Sequence, residues 1–244
     1  MATISSIWDT ALYDPLYNGL IFLIGAMPGY SVGLSIIALT VIVRFIIFPF
    51  AHKSIKVQRK MRELEPELKK IREKHKDKQE QARHTMELYK KHGTNPFSGC
   101  LTIIIQLPVF IALFLVFRNG FSENAGLLYS FVHYPDHIST VFLGVNLEEK
   151  SFIVAVLVGL SQYFYTALSI PKSPPPSGEK SLQEEFARSM NLQMRYVFPV
   201  LFTVFSLSIP SAVALYWLTS NLFSVGQEFF VRHGAKKEII PNLQ

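Results

Sequence analysis

Arg44 stands inside SIIALTVIVRFIIFPF, residues 35–50, where only Ser35, Thr40 and Pro49 interrupt the aliphatic and aromatic run. A guanidinium is always charged and offers five N–H donors with no acceptor, so its chemistry is the capture of an anion. Holding it at the centre of a bilayer costs about 3 kcal/mol or more. Two placements are open. Arg44 snorkels to the interface that Pro49 and His52 approach, or it faces a water-containing cavity between helices. Thr40 lies four residues earlier, on the same helix face. Gln106, Ser161, Gln162, Tyr165, Ser220 and Asn221 bring polar groups into three further apolar segments. Each also suits ordinary hydrogen bonding between helices. No Asp or Glu in the apolar segments is set against Arg44, so its partner is expected to arrive from outside the chain as a transient anionic group.

Other chemistry is poorly represented. His52, His75, His84 and His92 fall in one basic block, His133 and His137 in a loop and His233 near the end. No zinc-ligand spacing or nucleophile set gathers them, so neither an enzyme nor a metal site is expected. Cys100 is the single cysteine and reads as a small buried hydrophobe.

The elements that must position Arg44 are helices in a membrane. Of the 244 residues, 49% are hydrophobic and 20 are Phe, with a mean hydropathy of +0.25. Five segments approach the roughly 20 residues that cross a hydrocarbon core: 31–50, 97–117, 151–170, 196–210 and 212–230. Pro210 and Ser211 make the last two a tight pair turning at one face. The stretch 1–30 reads as an extracytoplasmic segment with an interfacial helix over 12–27, too short and too interrupted by Asp14, Pro15 and Asn18 to span. No export signal precedes it, because a basic n-region is missing. The expected fold is all-α, with five transmembrane helices, the interfacial helix and a cytoplasmic antiparallel helical hairpin.

Charge sets the expected orientation. Residues 1–43 contain no Lys or Arg, whereas 51–92 hold 14 of the 24 basic residues and 7 of the 18 acidic ones. By the positive-inside rule the block 51–96, the loop 171–195 and the tail 231–244 lie in the cytoplasm, and the N-terminus and the loop 118–150 lie outside. Within the block Val57, Met61, Leu64, Leu68 and Ile71 keep helical spacing, and Ala82, Met86 and Tyr89 resume it after a polar break. Pro66 kinks the first helix or begins a new one. The charges either set topology alone or make a docking surface, through Lys56, Arg59, Arg62, Lys69, Lys70 and Arg72, for anionic lipid, RNA or an incoming chain. No pattern of base-stacking aromatics accompanies them, so no specific nucleic-acid partner is expected.

Three stretches in this order, IVRFIIFPF, YKKHGTNPFSGCLTIIIQLPVFIALFLVF and FPVLFTVFSLSIPSAVALYWLTSNLFSVGQEFF, resemble the YidC insertases of bacteria and their Oxa and Alb relatives in organelles. The resemblance covers about residues 8 to 233. It implies a membrane protein insertase and chaperone that consumes no nucleotide and needs no cofactor or metal. The family's intramembrane arginine falls on Arg44, its polar neighbour on Thr40, its turn on Asn95, Pro96, Gly99 and Cys100, and its last-span aromatic pair on Tyr216 and Trp217. In the third span many relatives carry a glutamine six or seven residues after the glycine matching Gly159. Tyr165 and Thr166 stand there in this chain, with Gln162 a turn earlier.

A large extracytoplasmic domain, a long basic C-terminal extension and an N-terminal lipoprotein cysteine are absent from the pattern. The resemblance implies nascent membrane proteins as clients, the lipid bilayer, the Sec translocon, the signal recognition particle pathway and the ribosome as partners, and action as a monomer. With no transit peptide rich in Arg and Ser, a bacterial inner membrane is the expected location. A transporter is the main rival, but inverted repeats, paired broken helices and an intramembrane carboxylate to carry protons or cations are expected to be missing. A passive scaffold, in which Arg44 only packs, is the third reading.

Overall fold

The computed structural model describes residues 8–75, 77–94, 98–119, 125–170 and 188–239. It is mostly helical. The helices are α1 (Asp14–Ala26), α2 (Val32–Glu63), α3 (Glu65–Lys74), α4 (Lys78–Lys91), α5 (Ser98–Asn119), α6 (Phe152–Ser169), α7 (Phe198–Ser206) and α8 (Ser211–Ile239). A ribbon of two short strands, β1 (Val141–Phe142) and β2 (Val145–Asn146), lies between α5 and α6. The chain divides into two units, Met1–Phe45 with Pro108–Phe229, and Ile46–Leu107 with Phe230–Gln244.

In the first unit α1 turns Leu16, Tyr17, Leu20, Ile21 and Ile24 inward at helical spacing. Asn18 fastens it: its amide donates to the Leu127 carbonyl at 3.0 Å, and its side-chain oxygen accepts from the Tyr129 N–H at 2.7 Å. The segment 139–149 then holds two helix starts. The Val32 N–H donates to the Ser139 carbonyl, and the Ser211 and Ala212 N–H groups donate to the Glu149 and Leu147 carbonyls. With α6 beginning at Phe152, capped by the Ser151 side chain, α2, α6 and α8 all start at one loop.

Contacts further along keep the same order. Ala214 packs with Val154 and Val158, and Phe45 meets the Phe223 ring edge-on at 5.2 Å. The three helices therefore run in the same direction. α7 runs the opposite way against α6, where Gly159 faces Thr203 and Pro199 while Tyr163 meets Tyr196. Where the sequence suggests one helix over 196–210, a π-turn at Gln193–Val197 leads into α7, which ends at Ser206.

The second unit contains a small core of its own. Leu64, Leu68 and Leu88 are buried together with Ile71 and Tyr89 beside them, and the His92 Nε2 lies 3.9 Å from a Glu67 oxygen. Pro66 sits in the first turn of α3, where its missing N–H costs nothing. On α4 the apolar seam passes through Leu88. Ala82 and Met86, assigned to the seam from spacing, are exposed, because the α3 contact selects a different face of α4. α2 continues to Glu63, thirteen residues past the expected end of the first span.

Among the described residues two helices are long and apolar enough to cross a membrane, Val32–Phe50 and Phe152–Ser169, with a shorter apolar helix at Gln106–Arg118. α7 is only nine residues long, and α8 carries buried polar residues that dilute its apolar character.

Candidate functional site

Arg44 lies on α2 with its guanidinium partly covered. Its Nε is buried and has no hydrogen-bond partner among the described residues. The ionisable side chains that act on it are two phenols, Tyr216 from α8 and Tyr165 from α6. Tyr216 is itself fully buried, and Tyr165 is half-buried. Thr40, one turn before Arg44, is buried and donates to the Ile36 carbonyl of its own helix. Its hydroxyl proton is thus spent locally, which leaves only oxygen lone pairs on that face.

Hydrogen bonds tie α8 to α6 across this polar face. The Trp217 Nε1–H donates to the Gln162 Oε1 at 3.1 Å, and the Asn221 amide donates to the Ser161 hydroxyl at 3.0 Å. The Ser161 hydroxyl itself donates to the Val158 carbonyl. The aromatic side of Trp217 packs edge-on to Phe110 of α5 at 4.9 Å and against Phe202 of α7 at 4.4 Å. Trp217 therefore has a polar edge bonded to α6 and an apolar face against two neighbouring helices.

α8 carries the polar face further than the sequence reading does. Ser220, Asn221, Ser224, Gln227 and Glu228 are all buried, and their three- and four-residue spacing puts them on one side of the helix. From Tyr216 to Glu228 this side extends about 18 Å along the axis. The Ser220 Oγ and Gln227 Nε2 are buried without a hydrogen-bond partner among the described residues.

Glu228 corrects the expectation that the apolar segments hold no carboxylate. It falls inside the stretch 212–230, is 4% exposed, and acts electrostatically on Tyr165, which also feels Arg44. Its signal was present in the sequence: a charge at position 228 continues the series 217, 221, 224 on one helix face.

Of the residues singled out from sequence, Arg44, Thr40, Gln162, Tyr165, Ser220, Asn221, Tyr216 and Trp217 all belong to the first unit. Gln106 is half-buried on the part of α5 that belongs to the second unit. Lys69 and Lys70 are exposed on α3. The side chains of Lys56, Arg59, Arg62 and Arg72, and of Gly99 and Cys100 in the expected turn, lie outside the described residues, as do Asn95 and Pro96 entirely. Arg195 is a residue that sequence reasoning missed. Placed in a loop by sequence, it donates through Nη2 to the Ala167 and Ile170 carbonyls and so closes the C-terminal end of α6.

Two helices long and apolar enough to cross a membrane, one of them carrying a partly covered arginine, fit the class of helical membrane proteins. The family model described as the 60Kd inner membrane protein matches residues 23–238. A Streptomyces avermitilis protein named membrane protein insertase YidC is 33% identical over 94% of this chain and 57% of its own. A Campylobacter jejuni protein of the same name is 31% identical over 95% of this chain and 39% of its own. One from Fusobacterium nucleatum is 33% identical over 90% of this chain and 96% of its own. A solved structure described as an active YidC insertase with its first transmembrane domain resolved matches with a TM-score of 0.58 at 27% identity, over 88% of this chain and 45% of that one. The chain thus spans about half the length, or less, of several relatives it matches and nearly all of another. It belongs to the YidC/Oxa/Alb family of membrane protein insertases, which is a family of insertases rather than enzymes.

Proposed function

We propose that this chain inserts membrane proteins by drawing short hydrophilic tails of its clients into a polar groove around Arg44 and releasing their apolar helices into lipid. The observation that carries the reading is Arg44 itself, a half-buried cation faced by phenols, with a buried Nε that lacks a partner among the described residues. Each unsatisfied polar group of a tail in hydrocarbon costs several kcal/mol, and a groove lined by Ser220, Asn221 and Gln162 lowers that cost. Arg44 would hold a tail carboxylate partway across. At an effective dielectric of about 20 and 4 Å separation the attraction is about 4 kcal/mol as a ceiling. Glu228, at the far end of the α8 polar face, would confine the attraction for anions to the Arg44 end and keep acidic tails from binding along its whole length.

We read five transmembrane helices, with the N-terminus outside and the C-terminus in the cytoplasm. Support comes from α2, α6 and α8, which start at one loop and run the same way, as first, third and fifth spans must. The α3–α4 pair would be the cytoplasmic hairpin, receiving clients through its basic face and anionic lipid headgroups beside it. The Sec translocon, the signal recognition particle pathway and the ribosome are the proposed partners, the bacterial inner membrane the location, and the monomer the working state.

The test is insertion of a single-span client with an acidic tail into proteoliposomes holding this protein, comparing wild type with Arg44→Ala and Arg44→Lys. Loss in Arg44→Ala with activity kept in Arg44→Lys is expected. Wild-type insertion by Arg44→Ala would remove the electrostatic role and leave the arginine structural.

A further inference from the structure

The ribbon between α5 and α6 is built in an unusual way. Val141 pairs with Asn146 and Phe142 with Val145, which leaves a two-residue turn of Leu143 and Gly144. Both have positive φ, 50° and 80°. That turn favours Asn-Gly, because asparagine tolerates a left-handed backbone and a leucine does so poorly. The sequence nevertheless places a leucine there, and its side chain is 88% exposed. A strained backbone that presents an apolar side chain to the outside is a conformation kept for contact with something beyond the chain.

The ribbon is also firmly mounted. Phe142 lies directly over Gly33, the second residue of α2, so closely that a Cβ on that glycine would overlap the ring. Ser139 exchanges hydrogen bonds with the Tyr30 carbonyl and the Val32 N–H, and Leu147 and Glu149 receive the first N–H groups of α8. The tip is therefore fixed at the level where α2 and α6, the two helices long enough to cross a membrane, begin. At the same level the first residues of α6, Phe152 and Ile153, are 69% and 66% exposed, with Phe131 and Tyr129 exposed nearby in the sequence-adjacent loop. From Ile138 to Leu147 there is no charged residue, whereas Asp136, Glu148, Glu149 and Lys150 flank that stretch. Neutral apolar tips between charged flanks match the boundary between acyl chains and headgroups.

We propose that the Leu143 tip is a lipid anchor: with Val141 it inserts into the acyl–headgroup boundary of the leaflet at which α2, α6 and α8 begin. The occupant is phospholipid, and because the tip is neutral its insertion does not depend on lipid charge. By fixing the loop that carries three helix starts, the anchor sets the depth of those helices in the bilayer.

The test uses the full chain with Cys100→Ser, labelled with the fluorophore NBD at Leu143→Cys or, as an exposed comparison, at Asp136→Cys. The protein is placed in vesicles of phosphatidylcholine, with and without phosphatidylglycerol. Expected for Leu143 is a blue-shifted emission, quenching by a nitroxide on the upper acyl chain and protection from aqueous iodide, in both lipid mixtures. Emission and iodide quenching equal to those at Asp136 overturn the proposal, and leave the tip to a protein partner. A second variant removes the leucine while favouring the turn: Leu143→Asn with the probe at Val141→Cys. Its melting in detergent should match or exceed that of the parent, and its Val141 probe should move to water. A Val141 probe that stays in lipid also overturns the anchor.

Discussion

Gly159 makes the packing of α6 on α7 testable. A Cβ built on it would overlap the Thr203 hydroxyl oxygen and stand 3.2 Å from both the Thr203 Cβ and the Pro199 carbonyl oxygen. Thr203 can rotate its hydroxyl away only by giving up its 2.9 Å bond to the Pro199 carbonyl. Rotation does not move the Thr203 Cβ or the Pro199 oxygen, so α7 must also shift by a few tenths of an ångström. Overpacking of this kind costs about 1–3 kcal/mol. The lost hydroxyl bond adds about 0.6 kcal/mol on the scale measured between membrane helices. Gly159→Ala should therefore lose about 2–3 kcal/mol, and at about 2–4 °C per kcal/mol for a chain of this size its melting temperature in detergent falls by roughly 4–12 °C. Thr203→Ala opens the space that the new methyl needs. The double variant should recover about 1–2 kcal/mol relative to the sum of the single changes. Melting of all four proteins, followed by tryptophan fluorescence because Trp217 packs against Phe202 of α7, measures both values. A stable Gly159→Ala with no coupling to Thr203 would refute the close approach.

Arg195→Ala should free the Ala167 and Ile170 carbonyls and cost about 1–2 kcal/mol, read as faster amide exchange confined to the last turn of α6 and the start of α7. Leu68→Ala empties the centre of the three-leucine core and should cost about 2–5 kcal/mol, unfolding α3 and α4 in hydrogen exchange while α6 stays protected. Tyr17 is a pH probe outside the spans: burial first, then Tyr134 and Tyr13, push its phenol up to about 12. A raised phenol stabilises the fold fully below pH 10, and that contribution is lost as pH rises from 10 through 12. Absorbance at the phenolate band should show a late-titrating component that Tyr17→Phe diminishes, and Tyr17→Phe should flatten the loss of stability in that window.

Much of the architecture was legible because apolar run length and periodicity respond to the same solvent that the helices meet. The long run 151–170 corresponds to α6 within a residue at each end, the run 31–50 gives the start of α2 but not its end at Glu63, and Pro66 marks the start of α3. Family motifs singled out Arg44, Tyr216 and Trp217 because charged and aromatic residues in an apolar run stand out one by one. Met86 misled, because spacing defines a stripe on α4 but not which of two adjacent stripes its neighbour will cover.

By itself, then, the sequence determined that the chain holds long apolar runs, one of them interrupted by an arginine, and one basic block, since hydropathy and charge are local properties. Tertiary structure decided the rest. It matched Gln162 to Trp217 and Ser161 to Asn221 across 55 and 60 residues, brought Arg195 onto the end of α6, and put Glu228 within reach of Tyr165. Each pairing depends on the relative rotation of two helices about their axes. That rotation is set by packing over the whole contact, including the space that Gly159 leaves for Thr203, and no single stretch of sequence encodes it.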